Sequence, residues 1–249
     1  MTGQATGSAH EKLGLPCQDR FECIASNEHA TFIAAVADGA GSASLAQIGA
    51  ELAVEVITAS SLLGVRAGRQ DLDRVLWDGA SLARTRIFEE AAARGVEARE
   101  LACTLLAVVA TPVGGAALQI GDGVMVVRDL GEAWRWLFWP QKGEYANSTF
   151  FLTDDTALDE AKLTPLPYDV QDIAMLSDGL ESLALHFATR TAHAPFFRNA
   201  FANVYSSQEQ GELLGLSAAL SSFLRSPAVR ARTDDDVTLV LATRRSVGP

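Results

Sequence analysis

The chain has 249 residues, 48% of them hydrophobic, and its 20 basic and 31 acidic side chains give a net charge of −11. The apolar share supports a sizeable core in one domain or two. The acidic excess argues against a phosphate backbone or an anionic membrane as partner, so no nucleic acid and no membrane are expected. Most of that excess keeps the chain soluble, and a local acidic pocket holding cations is compatible with it.

Residues 1–14 (MTGQATGSAHEKLG) are polar and glycine-rich, with no apolar targeting segment, and read as a flexible approach to Cys17-Gln18-Asp19. Residues 21–26 and 31–37 read as strands joined by Asn27-Glu28-His29. Leu45, Ile48, Leu52, Val56, Ala59 and Leu63 fall at helical spacing, which predicts a helix over 44–63 stopped by Gly64. A second helix runs from Asp71, its N-cap, to Gly95. The middle is strand-rich, at 102–110, 116–120, 124–129, 134–138 and 149–153, with turn chemistry at Pro112, Gly114-Gly115, Gly121-Asp122-Gly123 and Gly131. A strand over 172–177 precedes helices over 195–205 and 208–224. Ser207 and Gln210 suit a capping box, and Pro227 suits a helix stop. The last strand is 237–243.

Residues 102–153 do not alternate strand and helix one for one, which argues against a doubly wound parallel sheet. The pattern predicts an α+β fold, a four-layer α-β-β-α sandwich of two antiparallel sheets flanked by helices. No repeat or linker appears, so a single domain over 1–249 is preferred, with its core at about 8–243. The longest apolar run, 105–110, is far too short to span a membrane. Cys17, Cys23 and Cys103 have no CxxC spacing, which supports neither a disulfide framework nor a zinc site and fits a reducing, cytoplasmic setting.

Carboxylates stand at the ends of the apolar runs. Asp38 follows 32–37, Asp122 follows 117–120, Asp178 follows 173–176, and Asp235 precedes 237–243. Antiparallel strands bring starts and ends to one edge of a sheet. Carboxylates gathered there repel by about 4 kcal/mol per pair at ~4 Å and an effective dielectric near ~20. Such a cluster requires a cation, and oxygen-only ligands select Mg²⁺ or Mn²⁺.

Six segments then carry a family resemblance. Cys17-Gln18-Asp19, 36–42 (VADGAGS), 103–107 (CTLLA), Gly121-Asp122, 176–181 (LSDGLE) and 235–240 (DDVTLV) occur in the order seen in metal-dependent Ser/Thr protein phosphatases. The chain resembles this type-2C (PPM) family, in its compact bacterial branch, from about residue 8 to residue 243. The resemblance implies hydrolysis of phosphoserine and phosphothreonine in proteins by a metal-bridging water, with two Mn²⁺ or Mg²⁺ ions and room for a third, weaker one. Asp38 would bridge the two ions, with the Gly39 carbonyl on one of them. Asp178 and Asp235 would complete the other. Asp19 would hold a metal-bound water, and Asp122 with Asp178 would hold the third ion. The partner implied is a phosphorylated protein, including a Ser/Thr kinase or its target.

The chain departs from the family's pattern at Gln18, often Glu; at Ala40, often a histidine that protonates the leaving group; at Gly14, commonly the arginine that grips phosphate; and at Asp236, usually Asn. His10 is the candidate substitute as general acid or phosphate contact, against the plain reading of a solvated N-terminal histidine. His29, His186 and His193 have no motif support. Ser42 and Ser44 lack partners for nucleophilic work and suit helix capping. Trp134, Trp136 and Trp139 suit core packing better than a peptide-binding platform. Asp154-Asp155 and Asp159-Glu160 suit solvated surface, and Asp236 suits support of the metal ligands. Two alternatives stay open: a pseudophosphatase acting as a binding or regulatory module, and a phosphatase of a small metabolite.

Overall fold

A computed structural model describes residues 1–26, 30–141 and 149–245. The chain opens with β1 (Thr2–Ala5) and α1 (Ser8–Leu13), then β2 (Arg20–Ser26) and β3 (Thr31–Ala37). Two long helices follow, α2 (Ala46–Arg66) and α3 (Leu72–Arg94). Next come β4 (Leu105–Thr111), β5 (Gly114–Ile120), β6 (Val124–Asp129), β7 (Arg135–Phe138), β8 (Lys162–Leu166) and β9 (Val170–Leu176). The last part holds α4 (Glu181–Ala184), a small hairpin of β10 (Leu185–His186) and β11 (Thr191–Ala192), α5 (Ala194–Ser206), α6 (Leu214–Leu224), α7 (Pro227–Arg230) and β12 (Val237–Thr243).

The chain forms two compact units and passes between them four times. The first comprises Met1–Leu15, Val124–Trp139 and Asp169–Pro249; the second comprises Pro16–Gly123 and Pro140–Tyr168. Each holds a five-stranded sheet, in the order β1-β12-β9-β6-β7 in the first and β2-β3-β4-β5-β8 in the second. Every pairing in both sheets is antiparallel, so the doubly wound alternative is excluded.

In the second unit, Ile33, Ala35 and Ala37 of β3 pack with Leu105, Ala107 and Val109 of β4 against Ala53 and Ile57 of α2 and Leu76 and Ala83 of α3. The alternate residues Ala34, Val36, Leu106 and Val108 are buried as well. These strands therefore read as continuous apolar runs rather than as alternating ones. In the first unit, Val124, Val126, Ala174, Leu176, Leu239 and Leu241 pack against Phe197 and Phe201 of α5 and Leu220 and Leu224 of α6.

Several elements differ from the sequence pattern. The N-terminus is not a flexible approach: β1 pairs with β12, and α1 follows it. Gly64 does not stop α2, which continues to Arg66. Helix α2 is long and apolar enough to cross a membrane, but its face from Ala46 to Ser61 is buried, as in a core helix. Residues 149–153 are not a strand, and Lys162–Leu166 takes the edge of that sheet instead. The last long helix begins at Leu214, not at 208. Ser207 accepts the Glu209 amide (3.1 Å) in place of a capping box, and Pro227 starts α7 rather than ending a helix. Asp71 stands at the N-cap of α3 without a side-chain cap, because both its oxygens bond Arg69 (3.1 and 2.8 Å). The Asn27-Glu28-His29 turn lies outside the described residues.

Candidate metal centre

In the second unit β3 ends at Ala37, and the next three residues stay paired. The Asp38 amide donates to Thr104 Oγ1 (3.0 Å) and the Thr104 amide to the Asp38 carbonyl (2.8 Å). Gly39 bridges Cys103, and the Ala40 amide reaches the Ala102 carbonyl (2.9 Å). The backbone of Asp38 and Gly39 is thus fixed from one side by the 102–104 segment. Asp19 is fully buried. Its turn is wrapped by Arg20, whose guanidinium donates to the Cys17 carbonyl (2.8 Å) and to the Asp19 carbonyl (2.6 Å). Asp122 follows Gly121, whose φ of +100° favours glycine. Gln141 holds that turn, accepting the Gly121 amide at 2.8 Å and donating to the Glu160 carbonyl at 2.9 Å.

In the first unit β9 delivers Asp178 through Ser177, whose Oγ accepts the Thr238 amide (2.9 Å). Asp178 opens a short 3-10 turn. A Cβ on the following Gly179 would lie 2.1 Å from the Asp236 carbonyl oxygen, so only glycine lets the β9 and β12 ends approach this closely. Asp178 Oδ1 is buried and lacks a hydrogen-bond partner among the described residues. The Asp235 carboxyl is held above the usual carboxylate range by burial first, then by the charge of Asp178. Its bond from the Asp236 amide (2.8 Å) and the nearby His10 pull the other way.

Asp236 is buried and serves the N-terminal segment. It accepts the Gly7 amide (2.6 Å) on one oxygen and bonds His10 Nδ1 (2.9 Å) on the other. His10 therefore sits on a helix with its side chain 12% exposed, not in a mobile tail. Gly14 closes that helix at φ +68°, the left-handed conformation that favours glycine. Ala40 packs with Ala43, Ala46 and Ala102, with Phe151 against them.

The remaining candidates fall outside the centre. Ser44 does not cap α2; its hydroxyl bonds Glu100 (2.7 Å). His193 Nδ1 lies 2.9 Å from the Leu183 carbonyl, and its ring meets His186 edge-on at 4.5 Å. Asp154 accepts the Phe151 amide (2.8 Å), which closes a turn. His29 lies outside the described residues. Thr104 and Ser177 stand in the quoted motifs, but their task of fixing the turns follows only from pairing across strands, whereas Arg20 fixes its turn locally.

The first unit thus brings together Asp178, Asp235, Asp236 and His10, while the second carries Asp19, Asp38, Gly39 and Asp122. Among the described residues no three His, Cys, Asp or Glu side chains lie close enough to hold a metal ion. The donor set still fits a hard divalent cation: it is all oxygen, it includes a buried carboxylate oxygen without a donor, and its neighbour is strained by like charge. Both effects are relieved by a cation.

Two antiparallel sheets with flanking helices define an α+β class. The sequence matches the protein phosphatase 2C family over residues 6–225. It is 39% identical over 240 residues to serine/threonine-protein phosphatase 3 of Escherichia coli (strain K12), covering 95% of this chain and 94% of that one. Among solved structures, it resembles the serine/threonine phosphatase Stp1 from Staphylococcus aureus (TM-score 0.64, 11% identity, 99% of this chain and 94% of the other). A C. elegans sex determining protein has TM-score 0.67 at 16% identity over 97% of this chain, which spans 64% of that longer protein. The chain belongs to the protein phosphatase 2C family, the metal-dependent Ser/Thr protein phosphatases.

Proposed function

We propose that the chain hydrolyses phosphoserine and phosphothreonine in proteins with Mn²⁺ or Mg²⁺ held by Asp38, Asp178 and Asp235, the Gly39 carbonyl, Asp19 and Asp122. The observation that carries this is the buried, donor-less Oδ1 of Asp178 beside an Asp235 carboxyl raised by burial and by that neighbour. Two ions are proposed, with a third, weaker one toward Asp122 and Asp178. When bound, such ions acidify water and neutralise phosphoryl oxygens.

The chain's own residues do the rest. Ser177, Thr104 and Arg20 hold the turns that present the carboxylates. Asp236 occupies His10 Nδ1, which leaves Nε2 for a phosphoryl or leaving-group oxygen. His10 thereby takes over the work of the residues absent at Gly14 and Ala40. The spacing of Cys17, Cys23 and Cys103, with no CxxC, supports a reducing, cytoplasmic setting, where a Ser/Thr kinase or its target is the substrate we propose.

The test is hydrolysis of a phosphothreonine peptide and of p-nitrophenyl phosphate with and without Mn²⁺. Activity lost in EDTA, restored by Mn²⁺ and abolished by Asp38→Ala is the expected result. Turnover by the metal-free protein would overturn the reading.

A further inference from the structure

The first unit carries an aromatic and cationic surface at the strand ends that also present Asp178. Phe138 of β7 pairs with Met125 of β6, which pairs with Met175 of β9. Trp139 and Asp178 therefore leave the sheet at the same edge, two strand spacings or about 10 Å apart. Trp139 meets Trp136 edge-on (5.7 Å) and Phe187 edge-on (5.5 Å). Phe187 is 42% exposed and Trp136 38%, so both rings reach the surface.

Arg190 lies over both indoles, 5.8 Å from Trp136 and 5.4 Å from Trp139. The Trp136 indole N–H donates to the Arg190 carbonyl (2.8 Å), which ties β7 to the β10–β11 turn. Arg190 has φ +52°, in the tight turn between β10 and β11. Among the described residues no carboxylate pairs with its guanidinium, although the chain carries 31 acidic side chains.

We propose that Trp136, Trp139, Phe187 and Arg190 form a docking platform for an acidic side chain of the phosphoprotein substrate. The proposal rests on the phosphatase reading above. Charge complementarity selects the occupant: an acidic segment is repelled by most of this surface and attracted at Arg190, whose indole backing limits its hydration. The estimated spacing of Trp139 from Asp178 corresponds to about three residues of extended substrate.

The test uses the full chain with Mn²⁺ and phosphothreonine peptides that differ only at about three residues from the phosphothreonine, carrying Asp, Ala or Lys there. KM is expected to be about fivefold lower for the Asp peptide than for the Lys peptide. Arg190→Glu should reverse that order with kcat and p-nitrophenyl phosphate hydrolysis unchanged, and Phe187→Ala should weaken the Asp peptide alone. Equal KM values for all peptides, or an equal loss on every substrate in Arg190→Glu, overturn the platform. If no peptide is hydrolysed, the phosphatase reading fails and binding read by tryptophan fluorescence decides the platform separately. Asp-selective quenching lost in Arg190→Glu supports it; unselective quenching overturns it. A dimer in sedimentation that Phe187→Ala dissociates assigns the face to a second copy and overturns it too.

Discussion

Asp178 and Asp235 carry the first consequence at the residue scale. Two close carboxylates, one raised by burial and by the other, cost the metal-free protein stability. Asp178→Asn or Asp235→Asn should therefore raise the metal-free melting temperature and shrink the increment that millimolar Mn²⁺ adds by linkage. A melting curve indifferent to Mn²⁺ in the unsubstituted protein would contradict this. His10 supplies a second consequence. A nitrophenolate departs without a proton, whereas a threonine alkoxide needs one. His10→Ala should thus slow phosphothreonine hydrolysis more than p-nitrophenyl phosphate hydrolysis, with Mn²⁺ affinity unchanged. Equal slowing would reduce His10 to a phosphate contact, and unchanged rates would leave it only its bond to Asp236. The motif residues were legible in sequence because Asp-Gly pairs end apolar runs. Their fixing by Thr104 and Ser177 was not, since those partners are set by cross-strand register.

Elements explain why the N-terminal segment misled. Residues 1–14 contain no apolar stretch, yet Gly7, His10 and Glu11 each have a partner distant in sequence. Glu11 pairs bidentately with Arg230 of α7 (2.8 and 2.5 Å), and Asp236 takes Gly7 and His10. Asp236→Ala leaves the buried Gly7 amide without its acceptor and should cost about 1.5–3 kcal/mol in denaturant unfolding. No loss would mean that α1 is held elsewhere. In the same unit Phe197 and Phe201 are fully buried under Trp134, whose ring lies 5.2 and 4.9 Å from theirs. Phe197→Ala should destabilise by about 3–5 kcal/mol. The tryptophans thus divide: Trp134 and Trp139 pack against the core as expected, while Trp136 is 38% exposed. Helix α6 starts six residues later than its pattern because Leu213 and Leu220, not residues 208–212, reach the core.

On the scale of the whole molecule, the cysteines report burial. Burial pushes the Cys103 thiol up to about 12, whereas Cys17 and Cys23 are half-buried. Alkylation of the folded protein at pH about 8.5 should mark Cys17 and Cys23 and spare Cys103 until unfolding. Early labelling of Cys103 would mean that the second unit opens locally. By itself the sequence determined the family, the antiparallel α+β class, the two long helices and the carboxylate-bearing turns, because apolar periodicity and Asp-Gly turns are local signals. Only the tertiary structure decided that residues 1–13 complete a sheet and a helix, that 162–166 rather than 149–153 form an edge strand, and that His10 is held by Asp236. It also decided that Gly14 ends α1 in a left-handed conformation and that Ala40 packs with Ala43, Ala46 and Ala102. Each of these depends on partners far away in the chain, and no local pattern of residues encodes which distant group will satisfy a given backbone amide or carboxylate.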